Sequence, residues 1–185
     1  MIIKETSRFL ARDFVVLISN LIIGIILARY LGPKILGTWY LIQSIFLIAD
    51  SIFRSKAEVG SIYYIGKNMN IASNILSAMH LISLIALGLL TITLFFFSDI
   101  FFIKIFGSLD NNLISASYIV LIALAFSFFV TNTLYFLLAK KKYNQYNLVL
   151  ILQSIINLLV VVTLSILYKP NVYIPVLALF FSWLT

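Results

Sequence analysis

Six apolar runs, divided by short polar or glycine- and proline-containing segments, dominate this sequence. A helix of about 20 residues crosses a hydrocarbon layer of about 30 Å, and most of these runs approach or exceed that length. The sequence therefore predicts membrane-crossing helices, and it places them at about 14–31, 36–58, 75–97, 114–138, 148–168 and 172–185.

The composition supports the same fold class. Of the 185 residues, 63% are hydrophobic and only 10% are charged, which leaves too little polar surface to enclose a water-soluble core. The runs do not alternate apolar with polar residues, as membrane β-strands do. We therefore predict an all-α transmembrane fold, a bundle of about six helices that forms a single domain over residues 1–185.

The last apolar run is shorter than the others. It spans about 14 residues, whereas a crossing needs about 20. We expect the chain to be an amino-terminal piece of a longer protein that stops within its sixth helix. The alternatives are a natural last helix that leans on a partner, or one that ends short.

The basic residues predict the orientation. The net charge of +7 could indicate a nucleic-acid partner, but the cations lie between the apolar runs. One side collects nine of them and the other four, and the side richer in cations usually faces the cytoplasm. The sequence thus predicts a multi-pass protein of the cytoplasmic membrane, in contact with lipid, with its amino terminus cytoplasmic and with no nucleic-acid partner. The nine are Lys4, Arg8, Arg12, Arg54, Lys56, Lys67, Lys140, Lys141 and Lys142; the four are Arg29, Lys34, Lys104 and Lys169.

The reactive side chains are few. The chain has no cysteine and one histidine, His80, and it contains no phosphate-binding loop, hydrolase elbow or metal-spaced cluster. We therefore predict no catalytic residue, no metal ligand and no cofactor, and a function other than that of an enzyme.

A turn motif joins the first two predicted helices. Residues 29–40 read RYLGPKILGTWY, in which Gly32 suits a tight turn and Pro33 suits a helix start. This segment resembles the signature of the polysaccharide and oligosaccharide flippase family, and GSIYYIGK at residues 60–67 is similar to the end of that family's second helix.

The resemblance implies a fold and a function. The fold is that of the multidrug, oligosaccharidyl-lipid and polysaccharide exporters, with two six-helix lobes around a central cavity. This chain would be the amino-terminal lobe, and its partner would be a missing carboxy-terminal lobe or half. The implied activity is flipping of a lipid-linked oligosaccharide, such as a polyprenyl-pyrophosphate-linked glycan, for surface-polysaccharide synthesis.

The second predicted helix carries the strongest candidates for a substrate cavity. Asp50, Arg54 and Glu58 are spaced four residues apart, so they share one helix face and can pair. If the helix enters the membrane at Leu36, Asp50 lies about 21 Å inward, Arg54 near the inner boundary and Glu58 beyond it. We predict that Asp50 faces the bundle interior. The alternative is that Asp50 and Arg54 only neutralise each other.

Other polar residues are weaker candidates. Arg29, Asn20 and Gln43 are further cavity candidates, while Arg12 and Asp13 are candidates for the cytoplasmic mouth. Each has an ordinary alternative role: a lipid-headgroup contact for Arg29, hydrogen bonds between helices for the two amides, and a salt-bridged anchor for the pair.

Three other functions are alternatives. A drug or cation exporter of the same fold would need acidic residues in this lobe, and Asp50 is one. A membrane scaffold that does not transport would keep the helices without a cavity. A membrane-bound polysaccharide polymerase would usually need a large external loop, whereas the predicted loops are short.

Overall fold

The computed structural model describes residues 2–54, 57–106 and 111–184, and these contain only helices, turns and short connections, with no strand. The six helices are α1 (Ile2–Phe53), α2 (Ala57–Lys67), α3 (Ala72–Phe106), α4 (Asn111–Ala139), α5 (Tyr143–Leu167) and α6 (Tyr173–Ser182), with a single 3-10 turn at Met69–Ile71. Four helical stretches are long and apolar enough to cross a membrane: Thr6–Phe53, Met69–Thr93, Leu113–Ala139 and Tyr143–Leu167. The all-helical class that the sequence predicts is confirmed, and these helices are those of a membrane-embedded protein.

Helix α1 is interrupted at Gly32. The φ and ψ angles of this residue are 73° and 168°, outside the helical region, and Pro33 follows it. We call residues 2–31 the first arm of α1 and residues 33–53 the second arm. The predicted turn between two helices is therefore present as a sharp break within α1.

Contacts with α4 and α5 show that the chain reverses at this break. In the first arm, Arg8 hydrogen-bonds Asn144 at the start of α5, and Tyr30 hydrogen-bonds the carbonyl of Tyr168 just beyond the end of α5. Just after the second arm, Arg54 hydrogen-bonds Thr131 on α4. Thr131 lies about 12 Å from the end of α4 at Ala139. The bundle thus has a basic end, where the α4–α5 turn at residues 140–142 lies, and an opposite Gly32 end.

The second predicted helix, at 36–58, differs in the structure. Helix α1 ends at Phe53, and a separate helix, α2, begins at Ala57 with Glu58 in its first turn. An acidic side chain at this position is stabilised by the amide groups that point out of a helix amino terminus. Helix α2 continues to the basic end, where Ile65 packs against Ala139.

Helix α4 is the centre of the bundle, since it packs against each of the other five α-helices. Its buried side chains include Val120, Leu124 and Phe128, and they meet a buried stripe of the second arm that includes Ile42 and Phe46. Many large apolar side chains elsewhere are exposed, as expected for a surface that contacts lipid chains.

Helix α6 has ten residues, fewer than the 14 of the sixth predicted run, and is too short to cross a membrane alone. It nevertheless belongs to the core, because Ile174, Val176 and Ala178 are buried against the rest of the bundle. The backbone N–H of Tyr173 donates to the side-chain oxygen of Asn171 at 3.3 Å, which satisfies one amide at the start of this helix.

Candidate functional site

Asp50 and Arg54 form an ion pair at the end of the second arm. The distance from Arg54 Nη2 to Asp50 Oδ1 is 2.5 Å, and the two side chains are only 24% and 20% exposed for Asp50 and Arg54 respectively. The pairing that the four-residue spacing predicts is therefore present. It neutralises the two charges inside the bundle, where a lone charge would be costly.

Arg54 also joins the second arm to α4. Its guanidinium donates to the hydroxyl of Thr131 at 3.2 Å and to that of Ser127 at 3.4 Å. The same group lies over the ring of Phe128, 5.4 Å from the ring centre, which is within the range of a cation–π contact. Three side chains within about one turn of α4 thus fix the position of the arginine head.

Glu58 is the most buried charged residue in this region. Its exposed fraction is 5%, although the sequence places it beyond the membrane boundary. Its depth in a membrane stays a prediction; within the bundle, the chain continues from Glu58 through α2 to the basic end. Arg54 lies at the level of Ser127 and Thr131 of α4.

Glu58 and several other polar residues line a small cavity. Its volume is about 10 Å³, enough for a single water molecule. We call this region the Arg54 site: it comprises the cavity lining, together with Asp50 and Ser127. The lining residues are Phe53, Arg54, Glu58, Ser83, Phe128, Thr131 and Asn132.

Asn132 extends the Arg54 site to α3. Its side-chain amide donates to the hydroxyl of Ser83 at 2.9 Å and lies 3.5 Å from Nδ1 of His80. The His80 ring also packs against Phe129, with 5.3 Å between the ring centres. Four helices, α1 to α4, therefore contribute polar groups to one buried cluster.

Two atoms of the ion pair retain unused hydrogen-bonding capacity. Asp50 Oδ1 and Arg54 Nε are buried, and neither makes a hydrogen bond that satisfies the angular requirements. The 2.5 Å approach of the two charges is thus an electrostatic contact without good hydrogen-bond alignment. Arg54 Nε is therefore the atom of the pair without a close partner, since Asp50 Oδ1 is in contact with Arg54 Nη2.

A second polar region lies between the first arm, α5 and α6, and we call it the α1–α5 groove. Its volume is about 300 Å³. Arg12 lies at its basic end, 2.6 Å from the carboxylate of Asp13 and 3.2 Å from the side-chain oxygen of Asn147. The Arg12 head also lies 5.2 Å from the centre of the Tyr146 ring, so it is held from several directions.

Farther from the basic end, side-chain amides line the groove. Asn20, on the first arm, lies about 12 Å from Arg12 along the helix axis, and Gln153 and Asn157 face it from α5. Gln153 Nε2 and Trp183 Nε1 are buried without a hydrogen-bond partner. The structure therefore brings Arg12, Asp13 and Asn20 together, in a groove with free donors.

No family model, curated protein or solved structure matches this chain significantly. The resemblance of residues 29–40 to the flippase signature stays a prediction that rests on the motif itself.

The remaining two candidates lie outside both regions. Gln43 is half-buried on the same face of the second arm as Asp50, but two helical turns nearer to Gly32. Arg29 is exposed close to the Gly32 end. Neither lines the cavity of the Arg54 site or the α1–α5 groove.

Sequence reasoning did not select the α4 hydroxyls or the link from Asn132 to His80 as parts of a site. Ser127, Thr131 and Asn132 occur at spacings of four and five, which place them on one side of α4. That small polar stripe in an otherwise apolar helix is the signal that could have identified them. What they contact depends on helix packing, which the stripe does not specify.

Proposed function

We propose that this chain is one lobe of a membrane transporter that flips lipid-linked oligosaccharide across the cytoplasmic membrane, for synthesis of a surface polysaccharide. The observation that carries the proposal is the α1–α5 groove, a depression of about 300 Å³ in which Arg12, Asp13 and several amides line an otherwise apolar surface. A structural scaffold has no need of such a groove in an apolar environment.

The chemistry of the groove suits a sugar attached to a phosphate. Arg12 at the basic end offers a planar cation that can hold phosphate oxygens, and charge-assisted hydrogen bonds of this kind are among the strongest in proteins. Asn20, Gln153 and Asn157 offer donors and acceptors for sugar hydroxyls. The exposed apolar faces of the bundle leave the lipid tail in contact with the bilayer.

Within this proposal, the basic end faces the cytoplasm and the helices cross the membrane six times. The positions of the cations support this orientation: Arg8 bonds Asn144 beside Lys141 and Lys142, whereas Lys169 lies at the Gly32 end. The second lobe of the cavity would come from a partner half, either in the same polypeptide or in another.

Single-cysteine labelling tests the orientation, and the absence of native cysteine makes it direct. In intact cells, a maleimide that does not cross membranes should label Lys169→Cys but not Lys142→Cys. After permeabilisation, both variants should react, because both positions are exposed. Labelling of Lys142→Cys alone in intact cells would contradict the proposed orientation.

Rescue of export tests the function. We expect the full native open reading frame to restore surface polysaccharide in cells that lack their own flippase. Arg12→Ala should reduce rescue by about ten- to a hundredfold, since a charge-assisted hydrogen bond is worth about 1.5–3 kcal/mol. The readout is the amount of surface polysaccharide per unit of membrane-inserted protein.

Two variants control this test. Lys169→Ala removes an exposed cation from the other end and should rescue fully, and Arg12→Lys should rescue in part because it keeps the charge but loses the fork of donors. Equal rescue by Arg12→Ala and the native sequence would contradict a phosphate-binding role. No rescue by well-inserted native protein would favour the scaffold.

A drug or cation exporter of the same fold is the second candidate. The buried Glu58, together with Asp50, favours it, because acidic residues inside a lobe attract cations. Restored drug resistance without restored polysaccharide would identify this alternative.

A further inference from the structure

The basic end of the bundle has a cleft lined by cations. Arg8 of the first arm, Lys141 and Lys142 of the α4–α5 turn, and the first residues of α5 surround an open volume of about 270 Å³. The three cationic residues are exposed, and the Arg8 guanidinium donates to the side-chain oxygen of Asn144 at 2.6 Å, which holds it against α5. We call this region the basic cleft, and its lining residues are Arg8, Lys141, Lys142, Tyr143, Asn144 and Gln145.

The basic cleft has an excess of positive charge. Among the described residues, the ion pairs are those of Arg12 and Arg54, and neither includes a cation of the cleft. The sequence sets a limit that does not depend on the position of any side chain: segments 4–8 and 140–142 together contain five cations and one carboxylate, that of Glu5. The excess therefore remains when Glu5 is counted. Such a cleft suits a phosphate group, to which arginine and lysine donate charge-assisted hydrogen bonds.

The turn that ends α4 has an uncommon residue at its tightest position. The backbone N–H of Lys142 donates to the carbonyl of Leu137, and that of Lys141 donates to the carbonyl of Leu138, both at 2.9 Å, which is the pattern of a Schellman motif. The φ angle of Lys141 is 57°, in the left-handed region that this motif usually fills with glycine. A side chain at this position costs backbone strain, which favours a role for the lysine other than closing the turn.

An exposed apolar row leads away from the basic cleft along α5. Asn144 lines the cleft, and four large apolar residues farther along α5 lie within about 80° of it around the helix axis. They extend about 22 Å from Asn144 toward the Gly32 end. A hydrocarbon chain attached to a phosphate in the cleft can therefore lie on this surface, whereas a soluble anion would leave it unused. We call these residues the α5 row: Leu148, Leu152, Ile155 and Leu159.

We propose that the basic cleft binds the phosphate headgroup of an anionic phospholipid, with one acyl chain lying along the α5 row. Arg8, Lys141 and Lys142 donate to the phosphate oxygens, and the α5 row selects a lipid over a soluble anion. The bound lipid links the first arm to the α4–α5 turn, since it contacts both. The membrane leaflet in which it lies follows from the proposed orientation, whereas its binding does not.

Native mass spectrometry of the purified full-length protein tests the proposal. Titration with phosphatidylglycerol should show a tightly retained lipid that phosphatidylcholine does not replace. Arg8→Gln and Lys142→Gln should each weaken the affinity about fivefold, the effect of one cation near an anionic lipid. Lys140→Gln is the matched control and should leave the affinity unchanged, because Lys140 Nζ lies 4.4 Å from the centre of the Phe136 ring and Lys140 does not line the cleft.

Two outcomes of this titration would overturn the proposal. Equal losses in Lys140→Gln and Lys142→Gln would indicate a general attraction between charges instead of a site. Unchanged affinity in all three variants, or equal affinity for the two lipids, would show that the basic cleft does not bind the anionic headgroup.

Lys141→Gly separates lipid binding from folding. Glycine adopts a φ of 57° without strain, so this variant should resist denaturing detergent at least as well as the native sequence. Its affinity for phosphatidylglycerol should nevertheless fall about fivefold. A loss of stability without a loss of affinity would contradict the role of Lys141 in binding.

Inorganic phosphate distinguishes a lipid from a soluble anion. It should not displace bound phosphatidylglycerol, because it has no chain to contact the α5 row. Displacement of the lipid by inorganic phosphate would overturn the lipid assignment in favour of a soluble phosphate.

Discussion

Replacing Arg54 with leucine is expected to destabilise the protein by about 3–5 kcal/mol, the range observed when one partner of a buried ion pair is removed. The variant leaves Asp50 unpaired and removes the bonds to Ser127 and Thr131 that join the second arm to α4. The free energy of unfolding can be measured by titrating the purified protein with denaturing detergent and following helicity.

Two variants make this expectation specific. Lys34→Ala removes an exposed cation near the Gly32 end and should change stability by less than about 1 kcal/mol. The double variant Asp50→Leu with Arg54→Leu should be more stable than Arg54→Leu alone, because no unpaired charge of this pair remains. If Arg54→Leu and Lys34→Ala unfold at the same detergent concentration, the Arg54 site does not hold the bundle together.

Replacing Gly32 with alanine is expected to cost about 1–3 kcal/mol, because φ of 73° with ψ of 168° lies in a region that is essentially restricted to glycine. A Cβ atom at this position would meet no atom within 4 Å, so the cost comes from the backbone and not from a clash. The expected loss is measurable with the same detergent titration.

Gly24 provides the matched control, because it lies within the helical first arm and a Cβ there also meets no atom within 4 Å. Gly24→Ala should be neutral or stabilising by up to about 1 kcal/mol, since alanine favours helices. Opposite signs for the two glycine variants would support the sharp turn at Gly32. Equal and small effects would indicate that α1 passes through residue 32 without reversing.

The features that depend on neighbouring residues in the sequence were the ones that could be predicted. The break at Gly32 follows from a glycine and a proline between two apolar runs, and the Asp50–Arg54 pair follows from a spacing of one helical turn. The helical class follows from apolar length, because only internal hydrogen bonding satisfies a backbone in lipid. None of these inferences requires knowledge of which helices are neighbours.

The burial of Glu58 shows what this reasoning could not supply. The arithmetic of 1.5 Å per residue assumed one straight helix that began at Leu36, so it placed Glu58 outside the membrane layer. In the structure the path from Pro33 to Lys67 is divided between two helices. Such a path is longer than the layer is thick, and the position of any residue along it depends on packing against α4.

The α1–α5 groove could be predicted from the sequence only in part. The sequence singles out Arg12, Asp13 and Asn20 as polar residues on the first arm, but it does not show that they face α5. Their convergence with Gln153 and Asn157 arises because the first arm and α5 run in the same direction, side by side. That parallel arrangement depends on the reversal at Gly32 and on the tight turn between α4 and α5.

The order in which the ribosome makes these segments gives the Asp50–Arg54 pair a further consequence. Arg54 emerges 77 residues before its partner Thr131, so α4 does not yet exist when α1 leaves the ribosome. Asp50, by contrast, precedes Arg54 by one helical turn and is available at once. The nascent second arm can therefore move from the translocation channel into lipid as a nearly neutral unit. Arg54 can then exchange its bound water for the hydroxyls of α4 once that helix has been made.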